Sequence, residues 1–238
     1  AGWTQSGAGA VSRTVDSKLK DTVSVKDFGA SPAATAAQNT TAFNNAFVYL
    51  HGIGGGMLFV PAGDYNLSDT LSMGSNTTLK CETGVRFVRN HNNTLLANQL
   101  GVTSGTTGYT GNGNIVIDGG IWDGNSNAFY DAFNHFAIGH CANVIIKNAI
   151  FLDNVRAHSV DLSASRNVVI ENNKFLGYAA AQTSPDGYGT SSDTLGADRT
   201  YVEAVQLDHN VTGSFQFGAI DGTPNENIVF RNNVVGPN

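Results

Sequence analysis

One motif recurs along this chain and constrains its fold more than any other feature. Asn114-Ile115-Val116-Ile117-Asp118-Gly119 reappears as Asn143-Val144-Ile145-Ile146-Lys147-Asn148, then as Asn167-Val168-Val169-Ile170-Glu171-Asn172, and again as Asn227-Ile228-Val229-Phe230-Arg231-Asn232. Apolar residues occupy the first and third positions after each Asn. A large one returns further on, as Trp122, Phe151, Phe175 and Val235. The leading asparagines are 29, 24 and 60 residues apart. The last interval reads as two turns plus an insertion.

A repeat of this length built from β-branched runs is a solenoid, because one coil cannot bury its apolar face alone. Leucine-rich repeats need Leu at fixed sites and usually a helix per repeat, and neither is present. A β-sandwich with Asn turns predicts alternation but not aligned recurrence. The predicted architecture is therefore all-β: a right-handed parallel β-helix whose leading asparagines stack in an amide ladder.

Composition agrees. Of 238 residues, 28 are Gly and 26 are Asn, and only 13% are charged. Gly and Asn accept left-handed backbone and tight turns; a helical protein of this length carries far more Lys, Glu and Leu. The net charge of −6 argues against a nucleic-acid partner, which demands a basic stripe. It is neutral about sugars. No apolar run is long enough to cross a membrane, so no membrane insertion is expected. The opening Ala1-Gly2-Trp3 shows no secretion signal and no Met, and reads as a processed chain or a fragment. Cys81 and Cys141 lie in separate strand-like segments and are expected to be buried thiols. Metal-ligand spacing is absent, so neither a metal nor a cofactor is implied.

Ahead of the repeat lie further pieces. Ser12 to Asp21 has Val11, Val15 and Leu19 at helical spacing, with Ser12 as a possible cap. The stripe is narrow and the segment too short to be stable alone; side-by-side copies in a homotrimer would give it a partner. Thr41 to Leu50 places Phe43, Phe47 and Leu50 on one helical face, suited to plugging the open end of a β-helix. Gly54-Gly55-Gly56 then leads into the first strand. Residues 1–24 read as a neck or linker and 25–238 as the β-helix, which is expected to continue past Asn238.

Two of these stretches carry a likeness. Gly7-Ala8-Gly9-Ala10-Val11-Ser12-Arg13-Thr14-Val15 and Val23-Ser24-Val25-Lys26-Asp27-Phe28-Gly29-Ala30 resemble the neck of bacteriophage tailspike proteins. The following helix and Pro61-Ala62-Gly63-Asp64-Tyr65 are similar to the start of the pectate-lyase-like β-helix in that family. The likeness covers about residues 6–66; Ser31-Pro32-Ala33-Ala34-Thr35 stands where the family has an Asp-rich stretch. It implies a homotrimeric spike on a virion, attached to tail or baseplate proteins through an N-terminal region. Such a spike binds, and often cleaves, a bacterial surface polysaccharide.

Strand alternation also locates candidate chemistry. Segments 134–139, 158–163 and 203–208 align so that Phe136/Ile138, Val160/Leu162 and Val205/Leu207 point into the core. Outward, Ala137 stacks on Asp161 and Gln206, and Gly139 on Ser163 and Asp208, with His158 and Glu203 sharing the opening position. The Cα atoms of Asp161 and Asp208, one coil and two residues apart, are then about 8 Å from each other. Paired carboxylates at such spacing suit glycosidic hydrolysis, one acid protonating the leaving oxygen and one activating water. Asp161, Glu203 and Asp208 are the candidate catalytic residues. His158 and Gln206 flank them, and His158 is expected to bond Glu203 rather than act as a base. The long insertion 177–200 and its flank offer Tyr178, Tyr188, Arg199 and Tyr201 as sugar contacts. Glu171 and Lys147 read as a cross-coil ion pair, and Asp118 and Asp123 as turn formers. Two alternatives stay open: a lyase using His158 with Arg156 or Arg199, and a non-catalytic receptor-binding spike.

Overall fold

The computed structural model describes residues 2–129, 133–154, 157–178, 203–213 and 217–236. The chain is a parallel β-helix. One sheet stacks Val23–Ser24, Gly56–Val60, Thr77–Cys81, Ile115–Asp118, Phe136–Lys147, His158–Glu171 and Glu203–Asp208, with Glu226–Arg231 also on His158–Glu171. The facing sheet stacks Gly63–Leu67, Val85–Arg89, Ile121–Asp123, Ile150–Asn154, Lys174–Tyr178 and Val234–Gly236. Every strand pair of these sheets is parallel.

The Asn repeat sets the register. Ile115, Val144, Val168 and Ile228 stack in one column, and Trp122, Phe151, Phe175 and Val235 in another. The asparagines adopt left-handed backbone, with φ of 54° at Asn114, 63° at Asn143, 56° at Asn167 and 54° at Asn227. Each Nδ2 donates to the Oδ1 one coil below: Asn114 to Asn76 (2.9 Å), Asn143 to Asn114 (2.9 Å), Asn167 to Asn143 (3.1 Å) and Asn227 to Asn167 (3.1 Å). Asn tolerates this conformation because its short amide bonds locally. Asn76 belongs to the ladder although its strand opens on Thr77, which hides it from an apolar pattern. The 60-residue interval is one coil rather than two, since Asn227 bonds Asn167 directly.

Between the sheets runs an aromatic column. Phe87 stacks on Trp122 at 4.1 Å, Trp122 meets Phe136 edge-on at 4.5 Å, and Phe151 stacks on Phe175 at 4.8 Å. At such distances aromatic pairs contribute beyond simple burial. The helix Ala36–Gly52 closes the N-terminal end, burying Phe43, Phe47 and Leu50, with Phe43 edge-on to Tyr65 at 5.4 Å. It starts five residues before the periodic stripe because Thr35 and Gln38 form a capping box. Gly55, at φ 120°, enters the first coil where a Cβ would lie 2.4 Å from the Asn76 carbonyl oxygen.

Some local expectations change. The neck helix is only Val15–Leu19, capped by Thr14 rather than Ser12, so Val11 falls outside it. Gly2–Trp3 pairs antiparallel with Arg13–Thr14. Lys147 sits beside Glu171 in register, yet its ammonium faces Asp118 (3.7 Å), while Glu171 pairs with Arg231 (2.7 Å). Asp118 also binds Lys80 (2.6 Å), and Asp123 binds Arg86, so both hold cations across coils rather than only forming turns. Cys81 and Cys141 are buried free thiols. Among the described residues no helix is long and apolar enough to cross a membrane.

Candidate functional site

Two neighbouring strands, His158–Glu171 and Glu203–Asp208, bring the acids together. Asp161 pairs in register with Gln206 above it and Ala137 below; Ser163 pairs with Asp208, and His158 with Glu203. This is the stacking expected from alternation. The long strands bend at His140 and Ala164, both with positive φ, so the segment that carries Asp161 is set off from the Asn-led segment that follows it.

The environment of Asp161 differs from that of a solvated surface acid. It is 4% exposed, and its lower neighbour Ala137 (4%) and Ser163 (1%) are buried too. Its Oδ2 accepts a hydrogen bond from Asn134 Nδ2 at 2.9 Å, whereas its Oδ1 has no partner among the described residues. A buried carboxylate with an empty oxygen is costly when ionised. Burial, the neighbouring Asp208 and, less strongly, Glu203 push the Asp161 carboxyl up to about 7, against the opposing pull of the Asn134 amide. Glu203 is also raised, by burial and then by Asp208.

Around these acids the other groups take distinct positions. Gln206 Nε2 donates to Asp208 Oδ1 at 2.9 Å, orienting that carboxylate. His158 Nδ1 lies 3.5 Å from Glu203 Oε2, but no hydrogen bond joins them. Burial lowers the His158 pKa, so the ring is neutral at pH 7 and the contact is not an ion pair. The expected His158–Glu203 bond is therefore replaced by proximity alone. Asn134 is the residue the sequence pattern passed over: its Oδ1 accepts from the His158 backbone N–H (3.1 Å) while its amide holds Asp161. An Asn two residues before a strand carries no periodic signal.

Leu162 and Val160 are buried in the core as alternation requires. Leu207 occupies the same column but is 54% exposed, because its strand ends the stack among the described residues. Tyr178 ends the strand Lys174–Tyr178, opposite Asn154 in register. Tyr188, Arg199, Tyr201 and Arg156 lie outside the described residues. Among the described residues no cluster of three or more His, Cys, Asp or Glu is arranged to hold a metal.

No family model matches the chain. It is 26% identical over 244 residues to plasmin and fibronectin-binding protein A of Streptococcus pneumoniae, a match spanning 94% of this chain but 32% of that protein. The solved structure of the S. pneumoniae surface protein and adhesin PfbA superposes with a TM-score of 0.72 at 25% identity, over 91% of this chain and 53% of that one. The tailspike of E. coli bacteriophage HK620, solved in complex with a pentasaccharide, superposes with a TM-score of 0.62 at 16% identity, over 99% and 49%. The chain thus spans about a third of the curated relative, and the tailspike likeness is one of fold.

Proposed function

We propose that the chain belongs to a surface or virion spike that binds a bacterial polysaccharide and hydrolyses its glycosidic bonds. One observation carries this reading: a buried, half-satisfied Asp161 that keeps its proton close to neutral pH, beside two other carboxyl groups on the next coil. A carboxyl of this kind is a competent general acid for a leaving sugar oxygen. Asp208, held by Gln206, activates water from the other side of the bond. The Cα separation of about 8 Å that the register implies leaves room for that water and favours inversion. Glu203 stabilises positive charge developing on the sugar ring. The fold shared with a tailspike solved on an oligosaccharide supports a carbohydrate ligand. Trimeric assembly and attachment to a phage tail follow from the neck likeness and belong to the same proposal.

A second reading has its own support, the name and surface location of the pneumococcal adhesin. In that reading the acid cluster is inert and the chain only adheres. Incubation with a panel of purified bacterial polysaccharides separates the two. New reducing ends without the ultraviolet absorbance of unsaturated sugars are expected, lost in Asp161→Asn and Asp208→Asn chains that remain folded. Full cleavage by both variants overturns this assignment of the acids; binding without cleavage supports adhesion; unsaturated products support a lyase.

A further inference from the structure

The face that carries Asp161 continues toward the N-terminal end of the stack, and there it is hollow. Below Asp161 the register places Ala137, then Ala97, then Ser72. Ala137 and Ala97 floor a cavity of about 280 Å³, walled by Thr70, Asn93, Gln99 and Phe217. At a coil spacing of about 4.8 Å, the Ala97 level lies roughly 10 Å from Asp161 along the axis.

The chemistry of the cavity is specific. Its lining carries no charge. Asn93 Nδ2 donates to Asp69 Oδ1 (2.9 Å) and Gln99 Nε2 to Ser72 Oγ (3.1 Å). Both amides are thereby oriented, and Asn93 Oδ1 and Gln99 Oε1 make no hydrogen bond among the described residues. Thr70 Oγ1 donates to the Thr94 carbonyl (2.6 Å) and retains acceptor lone pairs. The wall thus offers sugar hydroxyls fixed amide oxygens as acceptors and the second N–H of each amide as a donor, with the Phe217 ring as an apolar surface for the C–H face of a sugar. The charges adjoining the cavity and the site are negative: Asp69 beside Asn93, then Glu203 and Asp208. Among the described residues no cation contributes to the shifts of Asp161 or Glu203. A carboxylate-bearing glycan placed here would be repelled by like charge.

We infer that this cavity is a subsite for an uncharged sugar unit, and that the polysaccharide crossing it is neutral rather than built on uronic or sialic acids. The inference rests on the hydrolase reading only in setting the scissile bond two coils away.

Binding is measured by calorimetry with the cleavage-deficient Asp161→Asn chain. The probes are purified neutral polysaccharides (rhamnan, mannan, galactan, glucan) and acidic ones (polygalacturonate, alginate, polysialate). A neutral probe is expected to bind and the acidic ones not. Gln99→Ala and Phe217→Ala should each weaken that binding by about tenfold, the scale of one lost hydrogen bond or apolar contact. In the chain with Asp161 intact, the same changes should raise KM with kcat little altered. Asn93→Ala, at an exposed site, gives the same readout should Phe217→Ala fail to fold. Binding of an acidic probe, no binding of any neutral probe, or unaltered affinity in the folded variants overturns the inference. Neutral binding weakened by these variants, with no cleavage by the unmodified chain, supports the subsite and overturns the hydrolase reading instead.

Discussion

Replacing Asp161 by Asn should make the protein more stable at alkaline pH and leave it nearly unchanged in acid. In the unfolded chain an Asp releases its proton near 3.8; in the fold, burial and then Asp208 raise this carboxyl to about 7. Between those values the native state binds a proton that the unfolded state does not, so stability falls as pH rises through the window. The full loss, reached above pH 7, is about 4 kcal/mol at roughly 1.4 kcal/mol per pH unit. Asn does not titrate, and it can still accept the hydrogen bond from Asn134 Nδ2. The difference between variant and parent isolates Asp161 and its coupling to the neighbouring acids, because other titrating groups are common to both chains. Urea unfolding followed by circular dichroism at several pH values between 4 and 9 measures it. The variant should gain a growing advantage from pH 4 upward, levelling off above 7. Parallel stability curves, or an advantage that shrinks with rising pH, would refute the claim that Asp161 is a buried, proton-holding acid.

Two further outcomes follow from other contacts. Asn134→Ala removes the one hydrogen bond that lowers the Asp161 pKa. The alkaline limb of the cleavage profile should therefore move up by roughly one pH unit, equivalent to about 1.5 kcal/mol for a bond to a charged group; a downward move would contradict the assignment. In the ladder, Asn143→Ala loses the bonds to Asn114 and Asn167 and leaves a Cβ at φ 63° without the amide that eases left-handed backbone, costing about 2–3 kcal/mol in urea unfolding. Asn143→Gly keeps the backbone comfortable and should cost about 1 kcal/mol; Gly destabilising more than Ala would show that backbone strain plays no part.

The sequence by itself determined the solenoid and its register. A residue in left-handed conformation at each corner and apolar residues on every second position admit only one stacking, because a shift by one residue would turn each apolar set to the outer face. Asn114, Asn143, Asn167 and Asn227, and with them the stacking of Asp161 on Gln206, could therefore be aligned from spacing alone. The same logic read the 60-residue gap wrongly, since length does not say whether extra residues make a second coil or leave one. Nor could it find Asn76, whose strand buries a Thr, or Asn134, whose position before a strand has no period. Only the tertiary structure decided which outward acids are wet and which are dry. Alternation names the face on which Asp161 lies. Its proton affinity depends on what covers that face and on one amide 27 residues away in sequence, and proximity of that kind exists only after the coils have closed on one another.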